Sequence, residues 1–270
     1  MIDCKSIANK IKEELKPLVT EDKQLAVIQV GENPASNIYV KHKLNDAEEL
    51  GVIAHYFQFL ESSTNGEILA KINELNADEK IKGIIIQLPL PEHLNTVLLT
   101  NAIADEKDID GFKTTSKYTP CTPKGIMAIL DSLDMDLAGK SATIIGKGKT
   151  VGRPLIDLLL DRGVTVSICH SRTNKADLQR YIYSSDIVIS AVGKTMITKD
   201  MITNCVGKVP NGIQRKVIID VGIHRDENGK QIGDVEKDVR DAVKDITGWT
   251  QSVGLMTRTM LFDNLLRGGN

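Results

Sequence analysis

The chain has 270 residues, enough for two modest domains with separate cores, and at 41% hydrophobic and 26% charged residues it has an ordinary globular make-up. A formal net charge of -2 removes the simplest reason to expect nucleic acid or an anionic membrane surface as partner. No apolar run approaches the length of a membrane span and no secretory leader is visible. The four cysteines, at 4, 121, 169 and 205, form no C-x-x-C pair and read as free thiols of a reducing cytosol. The five histidines show no H-E-x-x-H or similar spacing, so no metal is expected.

In chain order, Ile7, Ile11, Leu15 and Leu18 fall on one stripe of an amphipathic N-terminal helix. Gln24 to Val30 reads as a buried strand. Ser36 is the expected cap of a helix running to about Leu50, with Gly51 as its stop. Ile53 to Leu60 is a second strand, and Thr64 with Glu67 makes a capping box for a helix to about Leu75. The aliphatic run Gly83 to Gln87 has the character of a strand at the centre of a parallel sheet, and Leu88-Pro89-Leu90-Pro91 is its rigid exit. A helix around Leu94 to Ala104 follows. Pro120 to Pro123 is the expected domain boundary, with Thr122 capping and Pro123 starting a helix to Leu133.

Ser141 to Ile145 then runs as a strand into the turn Gly146-Lys147-Gly148 and a helix from Pro154 to Leu160. The spacing G-x-G-x-x-x-G is one residue longer than the usual dinucleotide fingerprint, and alone it is also compatible with a structural turn. A P-loop needs a glycine where Thr143 stands, so that reading fails. The next strand, Val164 to Cys169, ends in His170-Ser171-Arg172-Thr173 without the acid that holds an NAD ribose, which favours NADP. Asp186 to Ser190 and Val217 to Val221 are further strands, and Gly254 to Arg267 is a closing helix with Leu255, Thr259, Leu261 and Leu265 available for burial. Strand and helix alternate, so the class is α/β.

Several residues invite chemistry. Tyr39 and Lys43 share a helix face, a spacing equally common on solvated surfaces. Gln87 is an amide at the carboxyl end of an aliphatic strand, where open α/β sheets bind ligands, or else a satisfied strand-end amide. Asp108 and Asp110 are either paired loop carboxylates or caps of the next turn.

Gly31-Glu32-Asn33-Pro34-Ala35-Ser36, Tyr39-Val40-Lys41-His42-Lys43, Gln87-Leu88-Pro89-Leu90-Pro91, Lys107-Asp108-Ile109-Asp110-Gly111-Phe112 and Pro120-Cys121-Thr122-Pro123-Lys124-Gly125 occur in that order. Val151-Gly152-Arg153-Pro154, Cys169-His170-Ser171-Arg172-Thr173, Asp220-Val221-Gly222-Ile223 and Gly233-Asp234-Val235 continue the series. Across its whole length the chain resembles the bifunctional methylenetetrahydrofolate dehydrogenase/methenyltetrahydrofolate cyclohydrolase family.

The resemblance implies two α/β domains with a folate cleft between them. One is a catalytic domain over 1–120, rejoined by the helix 254–270; the other is a Rossmann-type NADP-binding domain over 121–247. It implies a cytoplasmic homodimer that passes a hydride from the one-carbon bridge of a reduced folate to NADP, then hydrates the methenyl cation in the same site, serving purine and amino-acid biosynthesis. Lys43 is implied as the catalytic lysine, Tyr39 as flanking the folate ring and Gln87 as the lysine's hydrogen-bond partner. Pro89 lines the folate and Asp110 holds the pterin's nitrogens. Gly146, Lys147, Gly148, Ser171, Arg172 and Ile223 line the NADP site. A lysine desolvated beside a cationic carbon is expected to lose its proton readily, which suits these roles.

Three departures stand out. Lys147-Gly148 replaces the family's Arg-Ser, putting a point charge where a guanidinium fork is usual. The link from Phe112 to Pro120 is short. Gly248-Trp249-Thr250-Gln251-Ser252 replaces a Pro-Val-Pro-Gly-Gly block, removing rigidity that Trp249 is placed to restore by stacking or packing. The rival readings are therefore a dehydrogenase with a faded cyclohydrolase step and a non-catalytic NADP- or folate-binding regulator.

Overall fold

The computed structural model describes residues 1–203, 216–248 and 252–268. Trp249 and Cys205, with the expectations attached to them, lie outside the described residues. The elements in order are α1 (Cys4–Leu15), β1 (Gln24–Val30), α2 (Pro34–Leu50), β2 (Ala54–Phe59), α3 (Asn65–Ala77), β3 (Ile81–Ile86) and α4 (Thr96–Asn101). There follow α5 (Cys121–Asp131), β4 (Ser141–Ile145), α6 (Gly152–Leu160), β5 (Thr165–Cys169), α7 (Lys175–Ser184), β6 (Ile187–Ser190) and α8 (Lys199–Thr203). The chain ends with β7 (Val217–Asp220), β8 (His224–Arg225), β9 (Gln231–Ile232), α9 (Val239–Ala242), β10 (Asp245–Ile246) and α10 (Val253–Arg267). Among the described residues no helix is long and apolar enough to cross a membrane.

The chain divides into two compact units. One comprises Asn9–Cys121 with Arg258–Asn270, and the other Met1–Ala8 with Thr122–Thr257.

The first unit is built on a parallel three-stranded sheet in the order β2-β1-β3. Every residue of β1 is buried, as expected of a central strand covered on both faces. Of its two buried glutamines, the deeper, Gln29, is satisfied: its amide donates to the Gly31 carbonyl at 3.1 Å and to Asn37, and it accepts from the Tyr56 hydroxyl at 3.1 Å. Ile68, Ile72 and Leu75 of α3 pack with Ala26, Ile28, Ile84 and Ile86. Each such aliphatic side chain contributes about 1.5–3 kcal/mol of transfer free energy against the entropy of ordering. Thr64 and Glu67 form the expected reciprocal capping box of α3.

The second unit carries a parallel five-stranded sheet in the order β10-β7-β6-β4-β5. From β4 the chain first adds β5 on one side and then β6 and β7 on the other. The direction of winding therefore reverses at β4, and the carboxyl ends of β4 and β6 open the crevice where such sheets take ligands. Ile145, Val188, Ile218 and Ile246 from four of these strands pack with Leu178 and Ile182 of α7.

Five sequence expectations need correction. Ser36 does not cap α2: Asn33 does, accepting from the amides of Ala35 and Ser36 at 3.0 and 3.2 Å, with Pro34 at the first helical position. Asn33 wins because Pro34 has no N–H to satisfy and a φ already suited to the helix. The third strand is an edge of its sheet, because β1 takes the centre. Thr122 and Pro123 lie inside the first turn of α5, which begins at Cys121. The most buried residues of α1 are Cys4, Ala8, Lys12 and Leu15, while Ile7 and Ile11 are half-buried beside them. Leu255 likewise is only half-buried, and α10 buries Met256, Thr259, Met260, Leu261, Phe262, Leu265 and Leu266.

Candidate active site and dinucleotide site

In the first unit, α2 brings Lys43 toward the carboxyl end of β3. Its Nζ donates to Gln87 Oε1 at 3.1 Å, and Gln87 Nε2 donates in turn to the Leu88 carbonyl at 2.7 Å. The second bond fixes which way the buried Gln87 amide points, so its oxygen faces the lysine. Tyr39, one turn earlier on α2, is 39% exposed and open to a ligand. Pro89, exposed beyond the strand end, follows a cis peptide from Leu88. Desolvation pushes the Asp110 carboxyl above its ordinary range, against the opposing pull of the Lys43 charge. The two side chains therefore lie within electrostatic reach of each other.

Asp108 and Asp110 do not act as a pair. Asp108 accepts from the Lys113 amide at 3.0 Å and ties down the following loop, whereas among the described residues no hydrogen bond to the Asp110 carboxylate occurs. Gly111, at φ +70°, leaves Asp110 through a turn so tight that a Cβ would stand 2.8 Å from the Tyr118 carbonyl oxygen. The short link 112–120 thus folds straight back on itself.

Three supports escape the sequence patterns. Asp46, one turn beyond Lys43, accepts from Lys12 Nζ at 2.7 Å and from Arg258 Nε at 2.6 Å, so α2 is bonded to α1 and α10 at once. Burial opposes the charge on Lys12, but its bonds to Asp46 and Glu49 hold the ammonium above its ordinary range. Asn264 of α10 donates to the carbonyls of Ile109 and Thr119 at 2.8 and 3.0 Å, clamping the stretch that carries Asp110. None of these left a local signal; Asn33, the cap of α2, did, as an N-cap type directly before a proline.

In the second unit the remaining candidates gather at the carboxyl ends of three strands: Gly146, Lys147 and Gly148 after β4, Ser171 and Arg172 after β5, and Ile223 after β7. Gly146 sits at φ +110°, and a Cβ there would meet the Ala191 carbonyl oxygen at 2.4 Å. Gly152 touches the same turn, since its Cβ would stand 1.9 Å from the Gly146 oxygen. Gly148 instead borders open space. α6 starts at Gly152 with no side-chain cap; Arg153 and Leu155 donate to the carbonyls of Gly148 and Val151 and Pro154 has no N–H, which leaves, among the described residues, the Gly152 amide of the first turn for an anionic group. Lys147, Ser171 and Arg172 are exposed around this turn, and no acid stands between His170 and Thr173. That donor set fits a dinucleotide carrying an extra phosphate.

Comparison with known proteins decides the family. The catalytic-domain model of tetrahydrofolate dehydrogenase/cyclohydrolase matches residues 2–110, and the NAD(P)-binding-domain model of the same family matches residues 120–269. The chain belongs to the tetrahydrofolate dehydrogenase/cyclohydrolase family. It is 40% identical to the bifunctional protein FolD of Campylobacter jejuni, over 99% of this chain and 97% of that one. The crystal structure of the bifunctional FolD from C. jejuni superposes with a TM-score of 0.90 at 38% identity, covering 98% and 96% of the two chains. The Trypanosoma brucei dehydrogenase-cyclohydrolase, crystallised with NADP cofactor and an inhibitor, superposes with a TM-score of 0.83 at 27% identity, covering 97% and 93%. As a member of this family, the chain is a bifunctional enzyme that oxidises 5,10-methylenetetrahydrofolate and hydrolyses the methenyl product to 10-formyltetrahydrofolate.

Proposed function

We propose that Lys43, set by Gln87, is the group that manages protons in both reactions, with Tyr39 and Pro89 bordering the folate and Asp110 binding the pterin edge. The observation that carries this reading is the bond from Lys43 Nζ to Gln87 Oε1, with the Asp110 carboxylate, which has no hydrogen bond among the described residues, within reach of the lysine's charge. A carboxylate free of other bonds can accept two N–H donors from one planar heterocycle.

NADP, bound at the turn 146–148, supplies the acceptor for the hydride that leaves the methylene carbon. Lys147 and Arg172 meet the phosphate that distinguishes it from NAD, and Gly146, Gly148, Ser171 and Ile223 border the rest. The methenyl carbon produced is cationic, and beside it an ammonium is disfavoured relative to the neutral amine. Lys43 in its neutral form takes a proton from the water that adds to that carbon. It then returns a proton to the folate nitrogen as the carbon–nitrogen bond breaks, leaving the formyl product and one proton released to solvent. Hydration transfers no electrons, so it proceeds without nicotinamide.

The enzyme acts in the cytoplasm as a homodimer and supplies formyl groups for purine synthesis and one-carbon units for amino-acid synthesis. The test is to assay the purified chain for methylene oxidation with NADP and with NAD, and for methenyl hydration with neither. Both reactions, with NADP preferred, are expected. Oxidation with hydration no faster than in buffer would contradict the reading.

A further inference from the structure

A buried polar cluster of the second unit lies beneath the dinucleotide site. Asp220 ends β7 and Asp234 follows β9, and the two carboxylates are interlocked through the glycines that neighbour them. A Cβ on Gly222 would stand 1.8 Å from Asp234 Oδ1, and a Cβ on Gly233 would stand 2.1 Å from Asp220 Oδ2. Asp220 accepts from the amides of Asp234 and Val235 at 2.8 and 3.3 Å, and from Arg240 Nη2 at 2.9 Å. Asp234 Oδ2 accepts from Ser190 Oγ at 2.9 Å and from the Val192 amide at 2.8 Å. Its Oδ1 is buried against Gly222 and, among the described residues, has no hydrogen-bond partner.

Those contacts lead to both walls of the dinucleotide site. The Val192 amide adjoins Ala191, whose carbonyl oxygen leaves Gly146 no space for a side chain. Gly222 adjoins Ile223. One fully buried carboxylate therefore fixes the end of β6, on which the glycine turn rests, and the loop after β7. A buried carboxylate with an unsatisfied oxygen is costly to keep, and a shape requirement at these two walls gives it a reason to be there.

We propose that Asp234 is a positioning residue for the dinucleotide, setting the spacing between the turn at Gly146 and the loop at Ile223 without touching the cofactor. The inference rests on the assignment of the 146–148 turn to NADP. Asp234→Ala removes both anchors of the β6 end and opens a gap behind Gly222. Asp234→Asn retains an oxygen that accepts the same two bonds.

The decisive experiment measures NADP dissociation constants by calorimetry, the NADP KM for oxidation, and methenyl hydration without NADP, in wild type and both variants. Asp234→Ala should weaken NADP binding and raise its KM by about tenfold or more, with hydration within about twofold of wild type. Asp234→Asn should recover most of the affinity. Unchanged NADP affinity in folded Asp234→Ala, or proportional loss of both activities, would overturn the proposal. If Asp234→Ala does not fold, Ser190→Ala, which deletes one of the two anchors, should still raise the NADP KM severalfold, and an unchanged KM there would overturn it too. A wild-type chain that fails to bind NADP would refute the cofactor assignment instead, so the two failures are distinct.

Discussion

Lys43 Nζ stands 3.1 Å from Gln87 Oε1, and the Gln87 amide is held in that sense by its own bond to the Leu88 carbonyl. A helix residue and a strand-end residue, 44 positions apart, thus share one hydrogen-bonded orientation. Gln87 is uncharged, so it steers the lysine without pinning it as an ammonium.

That neutrality is testable. Gln87→Glu puts a carboxylate at the same distance and favours the charged lysine. Methenyl hydration by the variant at neutral pH should fall by about tenfold or more. An unchanged rate would show that Lys43 is not the base.

Removing the Asp46 carboxylate from its buried ion cluster should be strongly destabilising. Asp46→Ala removes the carboxylate bonded to Arg258, whose side chain is 16% exposed, and leaves Lys12, at 5%, with Glu49 alone. Removing one partner of a buried pair costs about 3–5 kcal/mol. Urea denaturation should show a loss of that order, with Asp46→Asn milder because the amide oxygen still accepts one bond.

Asp220 gives a pH signature. Burial raises its carboxyl from 3.8 to about 6, in spite of the amides of Asp234 and Val235 and the charge of Arg240, with the nearby Asp234 adding to the rise. Burial likewise lowers the Arg240 guanidinium, so both members of this ion pair are held at a desolvation cost. Because the folded chain keeps the Asp220 proton at pH values where the unfolded chain has lost it, the contribution is fully present below 3.8 and lost as pH rises to about 6. The decline is on the order of 3 kcal/mol. Denaturation midpoints measured from pH 4 to 6 should carry this slope, and Asp220→Asn should lack it.

Cofactor choice should follow Lys147 and Arg172. Both are exposed, so each contributes modestly and is screened by salt. Either alanine variant should lower the NADP-over-NAD preference by about fivefold to tenfold. The wild-type preference should itself shrink as ionic strength rises, as measured by KM for each dinucleotide.

Much of this was legible beforehand because its causes are local. The glycine turn at 146, the capping box at Thr64 and the aliphatic strand ending at Gln87 each follow from neighbours in sequence. What escaped depends on partners far along the chain. Lys12 lies on the buried face of α1 because Asp46 and Glu49 neutralise it there, which no apolar periodicity reveals. β3 proved an edge strand because aliphatic content reports burial and not order in the sheet. Asn33 displaced Ser36 as cap through the neighbouring proline, a signal that was present and outweighed by the commoner serine. Asp234 and Asn264 serve through contacts that only the fold assembles.

The central claim is that a single lysine handles protons for both reactions. It is tested most directly by measuring methenyl hydration and methylene oxidation in Lys43→Met, with folding checked by circular dichroism. Hydration should fall to the rate in buffer and oxidation by at least about tenfold. A folded variant that retains both rates would contradict the account.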